Sequence, residues 1–296
     1  MRVAVIDLGT NTFNLLIADV HTNGFSVLHN SKEGVALGMG GINQGCISED
    51  AMQRAFLAFE KFLPIIQNLH VENIAAIGTS AIRDAKNKDS FCDLIAKHYH
   101  IKIEVIDGEQ EAKLIYDGIR WLNTFEKPSL IMDIGGGSTE FIRVEGDFMQ
   151  IVSENIGVAR IFQFFRFNDP FSESDKNQVF DWLEHQAKEF QTFNPCPILI
   201  GASGSFETFH EMIYHLPFPL HEEKVLKREE IVKSLDWIID STQVERDNNP
   251  HIIPIRKKMA PIAALKTKWV IEKMQIQEVH ISPYSLKEGV LRRFIS

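Results

Sequence analysis

Cysteine is scarce in these 296 residues. Cys46, Cys92 and Cys196 stand apart without C-x-x-C spacing, which argues against a zinc site or a disulfide framework and leaves three reduced fillers. The eleven histidines include no H-E-x-x-H and no paired spacing, so no histidine metal site is expected. Long apolar runs are missing as well. Behind Met1 and Arg2 the first run is only Val3–Ile6, too short for a signal-peptide core, and nothing approaches membrane-spanning length. The expectation is a cytoplasmic protein with no membrane partner. Positive charge is also in deficit: the net charge is −9, so the basic footprint of a nucleic-acid binder is lacking. A polyanionic substrate would have to be drawn in by a local cluster of cations against the overall field.

What is present is an ordinary globular composition. With 44% apolar residues the chain can bury a full core, and its length suits two domains. Strand-like segments, among them Val3–Ile6, Asn14–Ala18, Phe25–His29, Ile74–Ile77, Ile101–Ile106, Leu130–Asp133, Phe141–Val144, Met149–Ser153, Ile198–Ile200 and Val279–Ile281, alternate with helical patterns. That alternation predicts an α/β fold. Helices are expected over Ser48–Leu69, with Pro64 kinking or ending it, and over Ser90–His98, Gly108–Asn123, Glu173–Phe190, Ser205–Tyr214, Arg228–Asp240 and Lys257–Met274. The segment Thr124–Pro128 is the expected crossing between domains, placed at 1–124 and 125–296.

Leu130–Phe141, LIMDIGGGSTEF, carries the most information. An apolar strand delivers Asp133 into the loop Gly135, Gly136, Gly137, followed by Ser138, Thr139 and Glu140. Three glycines let the backbone approach a phosphate and point N–H groups at it, because no Cβ intervenes. The acid can orient Mg²⁺ or a water. Val3–Asn11, VAVIDLGTN, repeats the device with Asp7, Gly9, Thr10 and Asn11. Each hairpin alone is as readily an ordinary turn. Two of them, with acids 126 positions apart and three strands after each start, point to a duplicated unit that holds phosphate.

Other segments are suggestive. In VIDGEQEAKL, Asp107 is placed as N-cap with Gln110 in capping-box position, and Glu109 and Glu111 lie in the first turn, where the helix dipole alone favours acids. In IGASGSFETF the turn Gly201–Gly204, with Ser203, can seat a nucleotide group at a helix N-terminus or simply allow close packing. Arg83, in GTSAIRDA, offers a guanidinium fork to phosphate, or to a carboxylate. Phe162, Phe164, Phe165 and Phe167 are read as core rather than base-stacking, and His221–Glu230 as an exposed helix or loop.

The ordered set IDLGTN, GTSAIRDAKN, IDGEQEA, MDIGGGSTEF, IGVARI, GASGSFETFHE and SPYSLKEGVL, from Val3 to Leu291, resembles the exopolyphosphatase and guanosine pentaphosphate phosphohydrolase (Ppx/GppA) family. The resemblance implies two ribonuclease-H-like domains of the actin-like ATPase superfold with a cleft between them, a C-terminal helix at about 284–296 packing back on the first, and a homodimer. It implies that Glu111 is the catalytic glutamate activating water, that Asp133 and Glu140 hold Mg²⁺, with Asp7 taken alongside them, and that Arg83 binds phosphate. Gly9, Thr10 and Asn11 would form the first phosphate hairpin and Gly135 to Thr139 the second. The Gly201–Gly204 turn lies where superfold relatives bind adenosine. Thr10 stands where many members have serine, and Lys113 where arginine is usual. The pattern around Arg256–Pro261 fits poorly, so no binding role is carried there.

The implied activity is release of a terminal phosphate from polyphosphate, short chains in particular because the chain stops soon after LKEGVL, and/or from guanosine pentaphosphate, with polyphosphate or guanosine penta- or tetraphosphate as the expected bound partner. Two rivals remain at this level: a sugar or acid kinase of the same superfold, which needs an acceptor, and a non-catalytic nucleotide or polyphosphate sensor.

Overall fold

The computed structural model describes residues 1–295, which divide into two compact units. The first comprises Met1–Gly118 and the segment from Leu286 onward; the second is Ile119–Ser285.

In the first unit, β1 (Arg2–Leu8) is the central strand of a five-stranded sheet. It pairs antiparallel with β2 (Thr12–His21) and parallel with β4 (Asn73–Gly78). Covered on both faces, it reads as an unbroken apolar run, with Val3, Ala4, Val5 and Ile6 all fully buried. The edge strand β3 (Gly24–Gly34) alternates exposed and half-buried residues instead. With β5 (Ile103–Val105) on the far side of β4, the order is β3-β2-β1-β4-β5.

Helix α1 (Glu49–Asn68) begins where Ser48 accepts a hydrogen bond from the Ala51 N–H. It buries Ala51, Ala55, Phe59, Phe62 and Ile66 along one face. Pro64 does not end it: the proline lies on the exposed side, where water can serve the carbonyl deprived of its donor. A single turn, α2 (Ser80–Arg83), follows β4, and α3 (Lys88–Tyr99) packs on α1, with the Tyr99 and Phe59 rings stacked 5.2 Å apart. Helix α4 (Gly108–Ile119) starts at the expected capping box: the Gln110 N–H donates to Asp107 Oδ1 at 2.8 Å, and the Asp107 N–H to Gln110 Oε1 at 3.0 Å. The helix Leu286–Leu291 also belongs to this unit, and Gly289 lets it approach α4 so closely that a Cβ there would stand 1.8 Å from the Leu114 carbonyl oxygen.

The second unit repeats the plan. Its central strand β6 (Ser129–Ile134) pairs antiparallel with β7 (Thr139–Glu145), which pairs with β8 (Phe148–Glu154). On its other side lies parallel β9 (Ile198–Gly201), then β11 (Glu278–Ile281). The order β8-β7-β6-β9-β11 matches β3-β2-β1-β4-β5, so both sheets have the ribonuclease-H-like arrangement. One strand is added at the edge: β10 (Lys224–Lys227) pairs antiparallel with β11, inside the segment expected to be helix or loop. Four residues are too few to register as a period, although Leu226 is buried and its neighbours face out.

Around this sheet lie α5 (Val158–Phe164), α6 (Glu173–Gln186), α7 (Gly204–Tyr214), α8 (Arg228–Asp240), α9 (Gln243–Asn248) and α10 (Ala260–Lys273). Phe162, Phe165 and Phe167 pack against the core as expected, but Phe164 is 62% exposed. Helix α10 is buried almost all round, from Ala260 to Thr267 and again at Trp269, Val270 and Ile271. Among the described residues no helix is long and apolar enough to cross a membrane.

Candidate functional site

The duplication read from sequence holds down to the cross-strand register. Asp7 faces Asn14 and Leu8 faces Phe13; Asp133 faces Glu140 and Ile134 faces Thr139, each shifted by the same 126 positions. The turns match too. A Cβ on Gly9 would stand 2.9 Å from the Thr12 carbonyl oxygen, and a Cβ on Gly135 would stand 2.9 Å from that of Ser138. Only glycine fits at the first position of either turn.

In the first unit, strand register gathers three loops at one edge of the sheet. Leu8 is beside Gly78, and Gly78 beside Val105, so Gly9–Asn11, the α2 turn and the start of α4 all emerge at the carboxyl ends of adjacent strands. Open α/β sheets place ligands at such an edge. Arg83 and Glu111 meet there: Arg83 Nη1 donates to Glu111 Oε2 at 2.7 Å and to the Ile106 carbonyl at 3.3 Å. Glu111 is only 8% exposed. The pairing keeps a carboxylate and a guanidinium fixed side by side with little water between them.

Thr10 is nearly buried, and its carbonyl accepts from the Gly38 N–H at 3.0 Å. The Asn11 carbonyl accepts from the Val35 and Ala36 N–H groups at 3.1 and 2.8 Å. The segment 35–38 is fastened in turn by Arg54, which donates to the Val35 and Ala36 carbonyls. Asp7 is half-buried, and burial pushes its carboxyl up to about 6 against the opposing pull of Lys287 and a 2.9 Å hydrogen bond from Asn14 Nδ2. Asn14 and Lys287 escaped the sequence reading. Asn14 could have been found from register, since it lies seven residues after Asp7 as Glu140 lies seven after Asp133.

In the second unit the glycine loop is held from behind. The carbonyls of Gly135, Gly136 and Gly137 accept from the N–H groups of Val158, Ala159 and Gly157 at 3.1, 2.8 and 3.2 Å, and Arg160 Nε adds a 2.7 Å bond to Gly137. In a trans peptide N–H and C=O point in opposite directions. The N–H groups of Gly136, Gly137 and Ser138 therefore face away from α5, the arrangement an anion-binding nest requires. The contact is so close that a Cβ on Gly157 would stand 2.2 Å from the Gly136 carbonyl oxygen.

Two more loops share this edge. Met132 is level with Gly201, and Gly201 with Ile281. The turn Gly201–Gly204 and the segment after β11 therefore emerge beside the glycine loop, and Ser285 Oγ donates to Asp133 Oδ2 at 2.7 Å. Ser203 Oγ is buried with no hydrogen-bond partner. Arg256 covers the start of α7, with Nη1 donating to Thr208 Oγ1 at 3.0 Å, in a stretch where the family pattern fits poorly and no role was expected.

Thr139 and Glu140, expected with the ligand-facing set, instead point into the unit. Thr139 is fully buried, and Glu140 is 1% exposed and accepts from Ser153 Oγ at 2.8 Å. Against Thr139 lies a lysine that the sequence reading passed over. Lys266 of α10 is fully buried, donates to the Thr139 hydroxyl and to the Ile156 carbonyl at 2.6 Å, and is pushed down to about 7 by burial against the pull of Glu140 and Asp133. Its signal was a lysine inside the otherwise apolar run PIAALKTKWVI, where Lys268 is the second cation.

As a Mg²⁺ set the three acids fit unequally. Among the described residues no three His, Cys, Asp or Glu side chains gather as a metal cluster. Asp7 and Asp133 stand half-buried at strand ends, where a hydrated ion could be reached, whereas Glu140 is 1% exposed and accepts from Ser153 Oγ.

The family model for the Ppx/GppA phosphatase family matches residues 16–295. A bifunctional 3-dehydroquinate synthase/phosphatase from Fusobacterium nucleatum is 34% identical over 221 residues, 69% of this chain and 33% of that protein. A guanosine-5'-triphosphate,3'-diphosphate pyrophosphatase from Photobacterium profundum is 32% identical over 219 residues, 71% of this chain and 43% of that protein. The chain thus spans less than half the length of these two relatives. A crystal structure of an exopolyphosphatase from Cytophaga hutchinsonii covers 100% of this chain and 98% of its own, with 35% identity and a TM-score of 0.94. With the paired hairpins, the repeated sheet order and a match across nearly its whole length, the chain belongs to the Ppx/GppA phosphatase family.

Proposed function

We propose that this chain is a phosphoanhydride hydrolase that releases the terminal phosphate of a polyanion, inorganic polyphosphate of short length or guanosine pentaphosphate. The observation that carries the reading is the 2.7 Å pair of Glu111 and Arg83 at the strand edge that also presents the Thr10 hairpin. The relatives from Photobacterium profundum, a pyrophosphatase, and Cytophaga hutchinsonii, an exopolyphosphatase, support the substrate class.

In this reaction a water oxygen forms a bond to the terminal phosphorus as the bond to the bridging oxygen breaks. Glu111 orients the water and receives its proton; Arg83 neutralises charge on the phosphoryl oxygens; the leaving phosphate departs with the bridging electron pair. Phosphoryl transfer needs mainly positioning and electrostatic stabilisation, which fixed N–H groups and a guanidinium supply. Mg²⁺, for which Asp133 of the second unit is a candidate ligand, would add charge neutralisation when bound. The same reading has the protein act as a cytoplasmic homodimer, checked by light scattering and by fractionation.

Phosphate release from guanosine pentaphosphate, ATP and polyphosphates of graded length, without any acceptor, tests the proposal. The wild-type protein should release phosphate, and Glu111→Gln should bind substrate yet lose at least about a hundredfold in kcat. Turnover that requires an added sugar or acid, or near-normal release by the variant, would refute it.

A further inference from the structure

We propose that Arg54 is the positioning residue of the first phosphate hairpin, holding the segment 35–38 so that the Asn11 and Thr12 N–H groups stay turned toward an anion. The argument starts from how each unit supports its loop. In the second, the Gly136 carbonyl accepts from the Ala159 N–H and the Gly137 carbonyl from the Gly157 N–H. In the first, the Thr10 carbonyl accepts from the Gly38 N–H at 3.0 Å and the Asn11 carbonyl from the Ala36 N–H at 2.8 Å. Gly136 and Gly137 follow Thr10 and Asn11 by 126 positions, and Ala159 and Gly157 follow Gly38 and Ala36 by 121, so one bond pattern recurs behind both turns. An arginine completes each support by a different route. Arg160 lies beside its segment and donates to the Gly137 carbonyl directly. The first segment draws its cation from α1: Arg54 Nε donates to the Val35 carbonyl at 2.6 Å and Nη2 to the Ala36 carbonyl at 2.9 Å.

Ala36 needs such a hold. Its φ of 48° lies in the left-handed region, which a residue with a Cβ keeps only where its surroundings fix it. Both of its backbone polar groups are engaged, the N–H by Asn11 and the carbonyl by Arg54. A guanidinium suits two successive carbonyls because its donors form a rigid planar fork. Among the described residues Arg54 pairs with no carboxylate, so the fork is committed to these carbonyls. The segment presses on the hairpin closely enough that a Cβ on Gly38 would stand 2.5 Å from Thr10 Cγ2. With the Thr10 and Asn11 carbonyls held by 35–38, the N–H groups that share their trans peptides, those of Asn11 and Thr12, face away from it. Arg54 therefore acts on phosphate through Ala36; without the fork Ala36 can leave the left-handed region and carry its N–H off Asn11.

This rests on reading Gly9–Asn11 as a phosphate hairpin. The test needs no turnover, so its failure and that of the hydrolase reading are distinguishable. Inorganic phosphate is titrated into the full-length wild type, Arg54→Met, Arg54→Lys and Arg2→Met, while nuclear magnetic resonance follows the Asn11 and Thr12 amide signals, with thermal melts of each protein. Arg2, at the opposite end of β1, is the structural control, bonded to Asp19 at 2.8 and 3.0 Å and to the Leu69 carbonyl at 2.7 Å. Phosphate should shift both amides in the wild type. Arg54→Met should weaken the affinity read at them by roughly tenfold or more. Arg2→Met should lower the melting temperature and leave that affinity within about twofold. Arg54→Lys keeps the charge without the fork, so its affinity should fall between wild type and Arg54→Met, which decides the matter if the methionine variant folds poorly. Wild-type amides that ignore phosphate, wild-type affinity in a folded Arg54→Met or Arg54→Lys protein, or an equal loss in Arg2→Met would overturn the proposal.

Discussion

Replacing Asp7 by asparagine should make the protein more stable and less active at once. Burial holds the Asp7 carboxyl at about 6 rather than its ordinary 3.8. The native state therefore keeps the proton over a range where the unfolded chain has already lost it, and stability falls as pH rises from 3.8 to 6. Above about 6 the full cost is present; below 3.8 it is absent. The difference of 6 minus 3.8 corresponds to about 3 kcal/mol as an upper bound, because the residue is only half-buried. An asparagine oxygen can still accept from Asn14 Nδ2, but the new amide N–H groups need partners, which offsets roughly 1 kcal/mol. A net gain of about 2 kcal/mol at pH 8 should raise the melting of this unit by roughly 4–8 °C. The gain should vanish toward pH 4. Thermal melts of both proteins across that range, with phosphate release at pH 8, are the assay. A variant that is no more stable at pH 8, or whose gain is the same at pH 4 and pH 8, refutes the assignment of Asp7 as a carboxylate held against its own desolvation.

Other perturbations separate the remaining parts. Arg83→Lys keeps the charge but loses the fork that holds Glu111 at 2.7 Å, so kcat/KM for phosphate release should fall by roughly 10- to 100-fold; unchanged kinetics would remove Arg83 from the site. Gly157→Ala places a Cβ 2.2 Å from a backbone oxygen that has no rotamer to yield. It should cost about 1–3 kcal/mol in denaturant unfolding and raise KM more than it lowers kcat, because the loop N–H groups are displaced. An active, fully stable variant would show that α5 does not set the loop.

Much of the architecture was readable before any coordinates, because it depends on local chemistry. Apolar runs ending in Asp7 and Asp133, glycine turns after them, and the Asp107–Gln110 cap are short-range patterns, and the strands and the start of α4 follow them. Failures fell where local signal is thin. The four-residue β10 is too short for a period, and Pro64 was read by its intrinsic cost although its exposed position relieves it. The carboxyl-edge gathering of Gly9, Arg83 and Glu111 follows from strand register, which no single segment encodes.

By itself, then, the sequence determined two copies of a strand–acid–glycine hairpin and, through the family resemblance, pointed to ribonuclease-H-like sheets and to Glu111 and Arg83 as candidate residues. The tertiary structure alone decided which groups meet: Arg83 with Glu111, Asn14 with Asp7, Ser285 with Asp133, and Lys266 with Thr139. The reason is physical. Residue type and spacing fix the backbone's local preferences, but the charge a buried carboxylate feels depends on which distant side chain packing brings beside it. For Thr139, which follows the second glycine loop, the buried partner arrives from a helix more than a hundred residues away.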